Sequence, residues 1–393
     1  VMKKILYISY DGILEPLGQS QVLSYQEILA KSHQIILISF EKSKFLSSNK
    51  FHKLTEERVL KAGIRWYRLS YHKFPSGVAT AFDILTGSLL SLFLIFRFHV
   101  QIVHVRSYVP AVIGLALKKI TRIKFLFDMR GFWADERIDG EIWRPNSGLY
   151  KVAKWFEAKF LLNADHVVSL THAGIQAINK FAYIDDRLPS SSVIPTCANL
   201  DLFSYKPIPH SSFTLGYVGS IGTWYNFDAV ITAFIELLKI LPSSTLLVVN
   251  QNDHEYIETS LMDRGIPHNK FSIKRATHSE VPAYMNQMDA GIFFIKPLFS
   301  KLASAPTKLG EFLGCGLPCI SNRGVGDMQA ILEDEGVGVA IDDFSQSSIQ
   351  NGINELLKLI SEKNITPKCV ATAKKYFSLN KGVKKYNDIY SKI

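Results

Sequence analysis

Short apolar runs recur along the chain, each closed by a polar or glycine-bearing segment. That is the pattern of strands buried on both faces. In the first half such runs predict strands at Lys4–Ser9, Ile35–Phe40, Ile64–Leu69, Ile102–Arg106, Lys124–Asp128 and Val167–Leu170. In the second half they fall at Leu215–Gly219, Thr245–Val249, Phe271–Lys274 and Gly291–Ile295. Helical stretches lie between them, one from near Gln19 to about Ala30 and another from Asp228 through Lys239. Alternation of this kind predicts parallel sheets covered by helices on both faces, an α/β chain. The strand, glycine loop and helix that open the chain are repeated after the Pro-bearing segment Val193–Pro209. Two Rossmann-like domains are therefore expected, residues 1–205 and 206–375, with a cleft between them. Asn380–Ile393 predicts a last helix with Val383, Tyr386, Ile389 and Tyr390 on one face.

The most apolar region is Val78–Phe98. Its charge-free part, Ile84–Phe96, is shorter than the roughly 20 residues a bilayer crossing needs. It predicts a buried or membrane-grazing helix.

In parallel sheets, ligands gather at the carboxyl ends of strands. Those ends carry Asp11 and Gly12, Arg106 and Ser107, Asp128 and Arg130, and Thr171 and His172. Each has a plain structural alternative: Thr171 as a helix cap, Asp128 as the partner of Arg130. The loop after Asp128, running to Trp143, is dense in charge and aromatics, Trp133 among them, which suits a sugar or lipid headgroup. Gly12 and Gly18 in the first glycine loop, and Gly219 and Ser220 in the second, allow a ligand to approach the main chain. Neither loop is a dinucleotide fingerprint or a P-loop.

The stretch Ala303–Ile320 carries the clearest chemistry. Pro306 suits the first turn of a helix, Ser304 or Thr307 is positioned to supply a capping oxygen, and Gly314 and Gly316 end the helix. A helix amino terminus attracts anions, Lys308 lies in its first turn, and Glu311 follows one turn later on the same face. Cation, dipole and ribose-accepting carboxylate make a nucleotide site; the alternative is an ordinary capped helix with a surface Lys–Glu pair.

Charge sharpens this picture. Residues 1–200 hold 26 Lys and Arg against 16 Asp and Glu; the totals of 45 and 35 leave 19 against 19 for the rest, so the whole net charge of +10 lies in the first half. Lys118, Lys119, Arg122 and Lys124 add to Arg97 beside the apolar region. Such asymmetry points to an anionic partner, nucleic acid or a membrane surface. Cys197, Cys315, Cys319 and Cys369 show neither zinc spacing nor a disulfide framework, and a reducing cytoplasm is expected. No signal peptide is visible before the first strand.

Taken together, Tyr7–Gln21, Asp128–Glu136, Gly216–Tyr225 and Pro306–Pro318 resemble the GT-B glycosyltransferases, most closely the large retaining family 4. The resemblance covers nearly the whole chain. It implies a nucleotide-sugar donor mainly on the second domain, held by Gly18, Gly219, Ser220, Arg275, Ser304, Thr307, Lys308 and Glu311. Asp128, Arg130 and Lys308 are implied to be catalytic, with Asp11, Arg106, Trp133 and His172 on the acceptor side. It further implies that residues 376–393 pack back on the first domain, a saccharide or lipid-linked acceptor, an anionic membrane surface rather than nucleic acid, a peripheral cytoplasmic location, and no cofactor or metal. No Asp-x-Asp occurs in the chain. Two departures stand out. Ala303 replaces the first of the family's two glutamates, leaving Ser300, Lys301 or Ser304 to stand in, and Ser220 and Trp224–Asn226 occupy the loop where the family carries Arg and Lys. A GT-B sugar-nucleotide epimerase or a non-catalytic GT-B subunit are the alternatives.

Overall fold

The computed structural model describes residues 2–46, 49–185, 187–209 and 211–393. Two compact units form, one from Val1–Pro195 with Asn380–Ile393, the other from Thr196–Leu379. Each is built on one parallel sheet.

The first unit contains β1 (Lys4–Ser9), β2 (Gln34–Glu41), β3 (Arg65–Ser70), β4 (Ile102–Arg106), β5 (Lys124–Asp128), β6 (His166–Ser169) and β7 (Ser191–Val193). Their order is β3-β2-β1-β4-β5-β6-β7. The apolar runs of β1, β2, β4 and β5 are buried almost throughout, as strands covered on both faces must be. The helical run after β1 starts at Pro16, passes through a π-turn at Gln19–Leu23 and ends in α1 (Ser24–Leu29). Further helices are α2 (Asn49–Lys61), α3 (Ser76–Phe98), α4 (Tyr108–Thr121), α5 (Trp133–Asp139), α6 (Gly148–Asn163) and α7 (His172–Asn179). Right-handed crossovers place α3, α4 and α6 on one side of the sheet, where α4 packs against both α3 and α6.

The second unit contains β8 (Thr214–Val218), β9 (Thr245–Val249), β10 (Phe271–Lys274), β11 (Ala290–Ile292), β12 (Cys319–Asn322) and β13 (Gly338–Ile341), in the order β10-β9-β8-β11-β12-β13. Its main helices are α8 (Phe227–Ile240), α9 (His254–Asp263), α10 (Thr307–Gly314), α11 (Met328–Asp334), α12 (Gln346–Ile360) and α13 (Ile365–Tyr376). All four cysteines are buried free thiols. Burial pushes the Cys315 and Cys369 thiols up to about 12, and it raises Cys319 as well.

The last helix, α14 (Leu379–Lys392), belongs to the first unit through its side chains. Tyr386 donates to Asp128 Oδ2 at 2.9 Å, Tyr390 Oη meets His104 Nδ1 at 2.6 Å, and Asn387 Oδ1 meets His33 Nε2 at 3.0 Å. The face carrying Val383, Tyr386, Ile389 and Tyr390 is buried.

One expectation needs correcting. The charge-free stretch is only the middle of α3, and its Gly77–Phe98 portion, 22 residues long, reaches the length and hydropathy of a bilayer span. Asp83 falls inside this helix and is buried, which is why a charge-based boundary cut it short.

Candidate active site

In each sheet the strand order reverses once, between β1 and β4 in the first unit and between β8 and β11 in the second. Loops leaving the carboxyl ends of two such strands diverge, and the gap between them is where α/β sheets bind ligands. The stretch Ala303–Ile320 follows β11, and the second glycine loop follows β8, so both lie at the second unit's reversal point.

Helix α10 begins differently from the sequence expectation. Pro306 is its cap residue, with φ −64° and ψ 121°, and no side chain caps it, so neither Ser304 nor Thr307 supplies the expected oxygen. Pro306 fixes an extended entry, and Ser304 N is turned back to Lys301 O at 3.1 Å. Leu309 N donates to Pro306 O at 3.2 Å, and no side chain covers the Thr307 and Lys308 amides ahead of it.

Lys308 points inward from that turn. Its Nζ is buried and has no hydrogen-bond partner. Three aromatic rings surround it instead, Tyr225 at 3.8 Å, Tyr217 at 5.2 Å and Phe293 at 5.5 Å from their centroids. Cation–π attraction offsets part of the lost hydration. Burial nevertheless brings the ammonium down to about 7, against the opposing pull of Glu311. Gly219, at φ +117°, closes the remaining side: a Cβ there would stand 2.8 Å from Lys308 Nζ. Only glycine combines that backbone with that space.

Glu311 is buried one turn further on, and its Oε1 lies 3.1 Å from Nε2 of His278. Lys301 is buried in the turn before α10, its Nζ 3.8 Å from the Trp224 ring centroid. Trp224 and Tyr225 belong to the loop that lacks the family's cations. That loop is pinned by Lys296 N to Trp224 O (2.8 Å) and Asn226 N to Phe294 O (3.0 Å). Aromatic rings thus cover two lysines, Lys301 and Lys308. Sequence reasoning missed this role, and the Trp-Tyr pair in a glycine loop was its only signal.

The other donor-side candidates are spread more widely. Ser220 is exposed, and its carbonyl accepts from Tyr217 Oη at 2.7 Å. Arg275 is exposed at the end of the edge strand β10, two strands from the reversal point. Gly18 lies in the other unit, where a Cβ would overlap the Gly12 carbonyl oxygen. Its lack of a side chain is required by packing within the loop. The N–H groups of that loop are also taken: Ile13 and Leu14 donate to buried Glu41 at 2.9 and 3.2 Å. The first glycine loop therefore does not offer these amides to a phosphate.

In the first unit the reversal point holds a second polar cluster. Arg106 Nε reaches Asp11 Oδ2 at 3.2 Å, and Asp128 lies on the neighbouring strand. Asp128 is held by Tyr386, with His104 Nε2 3.7 Å from Oδ2. Burial by itself would raise this carboxyl, but Arg130, His104 and Arg106 outweigh it and keep it below the ordinary aspartate range. Burial lowers the His104 imidazole against the pull of Asp128, which favours its neutral form. Asp128 Oδ1, Arg106 Nη1 and Arg130 Nε are all buried without a hydrogen-bond partner. Arg130 sits at φ +59°, a left-handed conformation unusual for a side chain of this kind. Unmet polar atoms of both signs at a strand end suit a ligand carrying hydroxyls and negative charge. Trp133 is half-buried against Tyr108 and Trp143, at centroid distances of 5.6 and 5.1 Å. His172 is exposed at the start of α7, which Thr171 caps through Gly174 N at 2.9 Å. Among the described residues no cluster of His, Cys, Asp and Glu fit for a metal occurs.

Residues 201–370 match the family model described as Glycosyl transferases group 1. The matched stretch lies within the second unit and spans less than half of the chain. The whole chain has the two-domain GT-B fold. A glycosyltransferase from Rickettsia africae ESF-5 is similar at TM-score 0.73 and 17% identity, over 100% of this chain and 98% of its own. HepE of Anabaena, in complex with UDP, is similar at TM-score 0.69 and 14% identity, over 99% and 100%. WaaG, a glycosyltransferase involved in lipopolysaccharide biosynthesis, is similar at 0.64 and 15%, over 98% and 99%. No curated protein sequence matches the chain. Helix α10 and the loop after β8 meet at the reversal point of the second unit and form its candidate site.

Proposed function

We propose that the chain is a retaining, metal-independent glycosyltransferase. It moves a hexose from a nucleotide sugar to a saccharide or lipid-linked saccharide in cell-surface polysaccharide synthesis, at the cytoplasmic face of a membrane. One observation carries this reading: the uncapped amino end of α10 with Lys308 buried beside it and lacking a partner. A diphosphate supplies what both lack. The HepE structures with UDP and with UDP-glucose support a uridine donor, and WaaB and WaaG, named for lipopolysaccharide synthesis, support the polysaccharide role.

In this mechanism Glu311 accepts from ribose hydroxyls, while the α10 amides and Lys308 take the diphosphate. The bond from the anomeric carbon to the diphosphate oxygen breaks as the acceptor oxygen bonds to the same face of the sugar. The acceptor proton passes to the departing diphosphate. Negative charge grows on that leaving group, so the helix end and the lysine act most strongly in the transition state. Arg106, Arg130 and Asp128 position acceptor hydroxyls or an acceptor phosphate. Titration calorimetry with UDP, UDP-glucose and other nucleotide sugars tests the donor, and slow release of UDP in water tests turnover. Absence of binding by every nucleotide sugar would overturn the reading.

A second reading is favoured by Ala303. It is buried in the turn before α10, where the resemblance leads one to expect a carboxylate. A non-catalytic subunit would bind nucleotide and release nothing. An epimerase would interconvert the sugar nucleotide, which the same assay detects.

A further inference from the structure

Helix α3 is inverted relative to a water-facing helix. Its one carboxylate, Asp83, is fully buried and accepts from Tyr10 Oη at 2.7 Å and from His72 N at 3.1 Å. Ser91 is buried on the same side, and a Cβ on Gly87 would strike Ile113 and Phe40. The outer face carries Val78, Phe82, Leu85, Leu89, Phe93 and Phe96, each between 51% and 70% exposed. Their spacing of three and four residues makes one continuous stripe, about 27 Å long at helical rise.

Two further features say what covers it. The hydroxyls beside the stripe are turned to their own helix: Thr86 donates to Phe82 O at 3.1 Å and Ser88 to Ile84 O at 2.7 Å. The face therefore shows no free donor, as hydrocarbon requires, whereas protein interfaces are rimmed with hydrogen-bonding groups. Lys73 and Arg97 flank the two ends, both exposed and neither ion-paired to a described residue. Cations at the ends of an apolar face match anionic headgroups.

We propose that the outer face of α3 is a lipid-contact surface. The helix lies in the plane of an anionic bilayer, with its stripe among the acyl chains and Lys73 and Arg97 at the headgroups. This rests on the membrane part of the functional reading and not on its chemistry. The helix does not cross the bilayer, because its other face holds the sheet through Asp83 and Gly87. The basic segment 118–124 is the weaker anchor, since Lys118 pairs with Asp165 and Lys124 reaches the same carboxylate at 3.3 Å.

Flotation of the full chain on vesicles tests this, using neutral phosphatidylcholine and phosphatidylcholine with anionic phosphatidylglycerol. The expected result is flotation with anionic vesicles that persists in salt sufficient to strip purely ionic contacts. Leu89→Glu with Phe93→Glu should lower vesicle affinity by about tenfold or more, with Tm and UDP release in water unchanged. Phe93→Trp should show blue-shifted emission on adding vesicles. Three results overturn the proposal: the double variant floats like wild type, the Phe93→Trp emission ignores vesicles, or lipid-free wild type sediments as a dimer that the double variant dissociates. Lost UDP release with intact flotation strikes the proposed chemistry alone; failed flotation with intact UDP release strikes the lipid surface alone.

Discussion

Replacing Lys308 with methionine should stabilise the protein at neutral pH while abolishing its response to nucleotide. The folded chain holds this ammonium without a hydrogen bond, and burial brings it from 10.5 to about 7. A lysine lowered in the folded state binds fewer protons there than in the unfolded chain, so between those two values stability rises with pH. The cost is fully present below about pH 7 and disappears above 10.5. Its size at pH 7 is on the order of 4 kcal/mol. Methionine fills similar volume among Tyr225, Tyr217 and Phe293 and carries no charge. The variant should therefore melt several degrees above wild type at pH 7, and the gap should close as pH approaches 10. Differential scanning calorimetry at pH 7 and 10, with and without UDP, is the assay. UDP should raise the wild-type Tm and leave the variant's unchanged, a trade of stability for binding. A variant less stable than wild type at pH 7, by an amount independent of pH, would refute the reasoning: it would mean the charge is already satisfied in the folded chain.

Three other outcomes are expected. UDP binding should take up a proton on Lys308, so affinity by calorimetry should fall above pH 7 by up to about tenfold per pH unit; Tyr225→Leu should move that pH dependence, because it opens the lysine to water. Glu311→Ala should weaken UDP by about 1.5–3 kcal/mol, and unchanged affinity with an intact fold would remove it from the ribose. Tyr386→Phe leaves Asp128 Oδ2 without its hydroxyl donor and should cost about 1–3 kcal/mol of stability by thermal melt; it should slow transfer to an acceptor with UDP affinity preserved, and equal loss of both would make it purely structural.

The central strands were legible in the chain because burial on both faces leaves unbroken apolar runs, as at Ile5–Ile8 and Ile35–Ile38. Two of the edge strands were not: Ser191–Val193 is half-buried and polar, and Gly338–Ile341 is a four-residue run inside a turn-rich stretch. The α10 segment was legible as a helix start, since Pro306 and the following charges announce it, but whether a cap closed it depended on where Ser304 points. Tyr386 and Asp128 stand 258 positions apart, so nothing local reveals their bond. The extent of helix α3 was cut short because Asp83 interrupts the charge-free run, and hydropathy reports how apolar a segment is, not which side faces out. Gly87 against Phe40, a contact between distant elements, decides that orientation.

The four buried thiols have a practical consequence. Thiolate is the species that maleimides attack, and all four cysteines are buried, with three of them held well above neutral pH by their surroundings. The natural chain should then present a chemically silent background. One cysteine introduced at an exposed site, such as Phe93 on α3 or Arg275 at the end of β10, would carry a spin label or dye without first removing the native ones. The protein is in effect already prepared for site-directed spectroscopy.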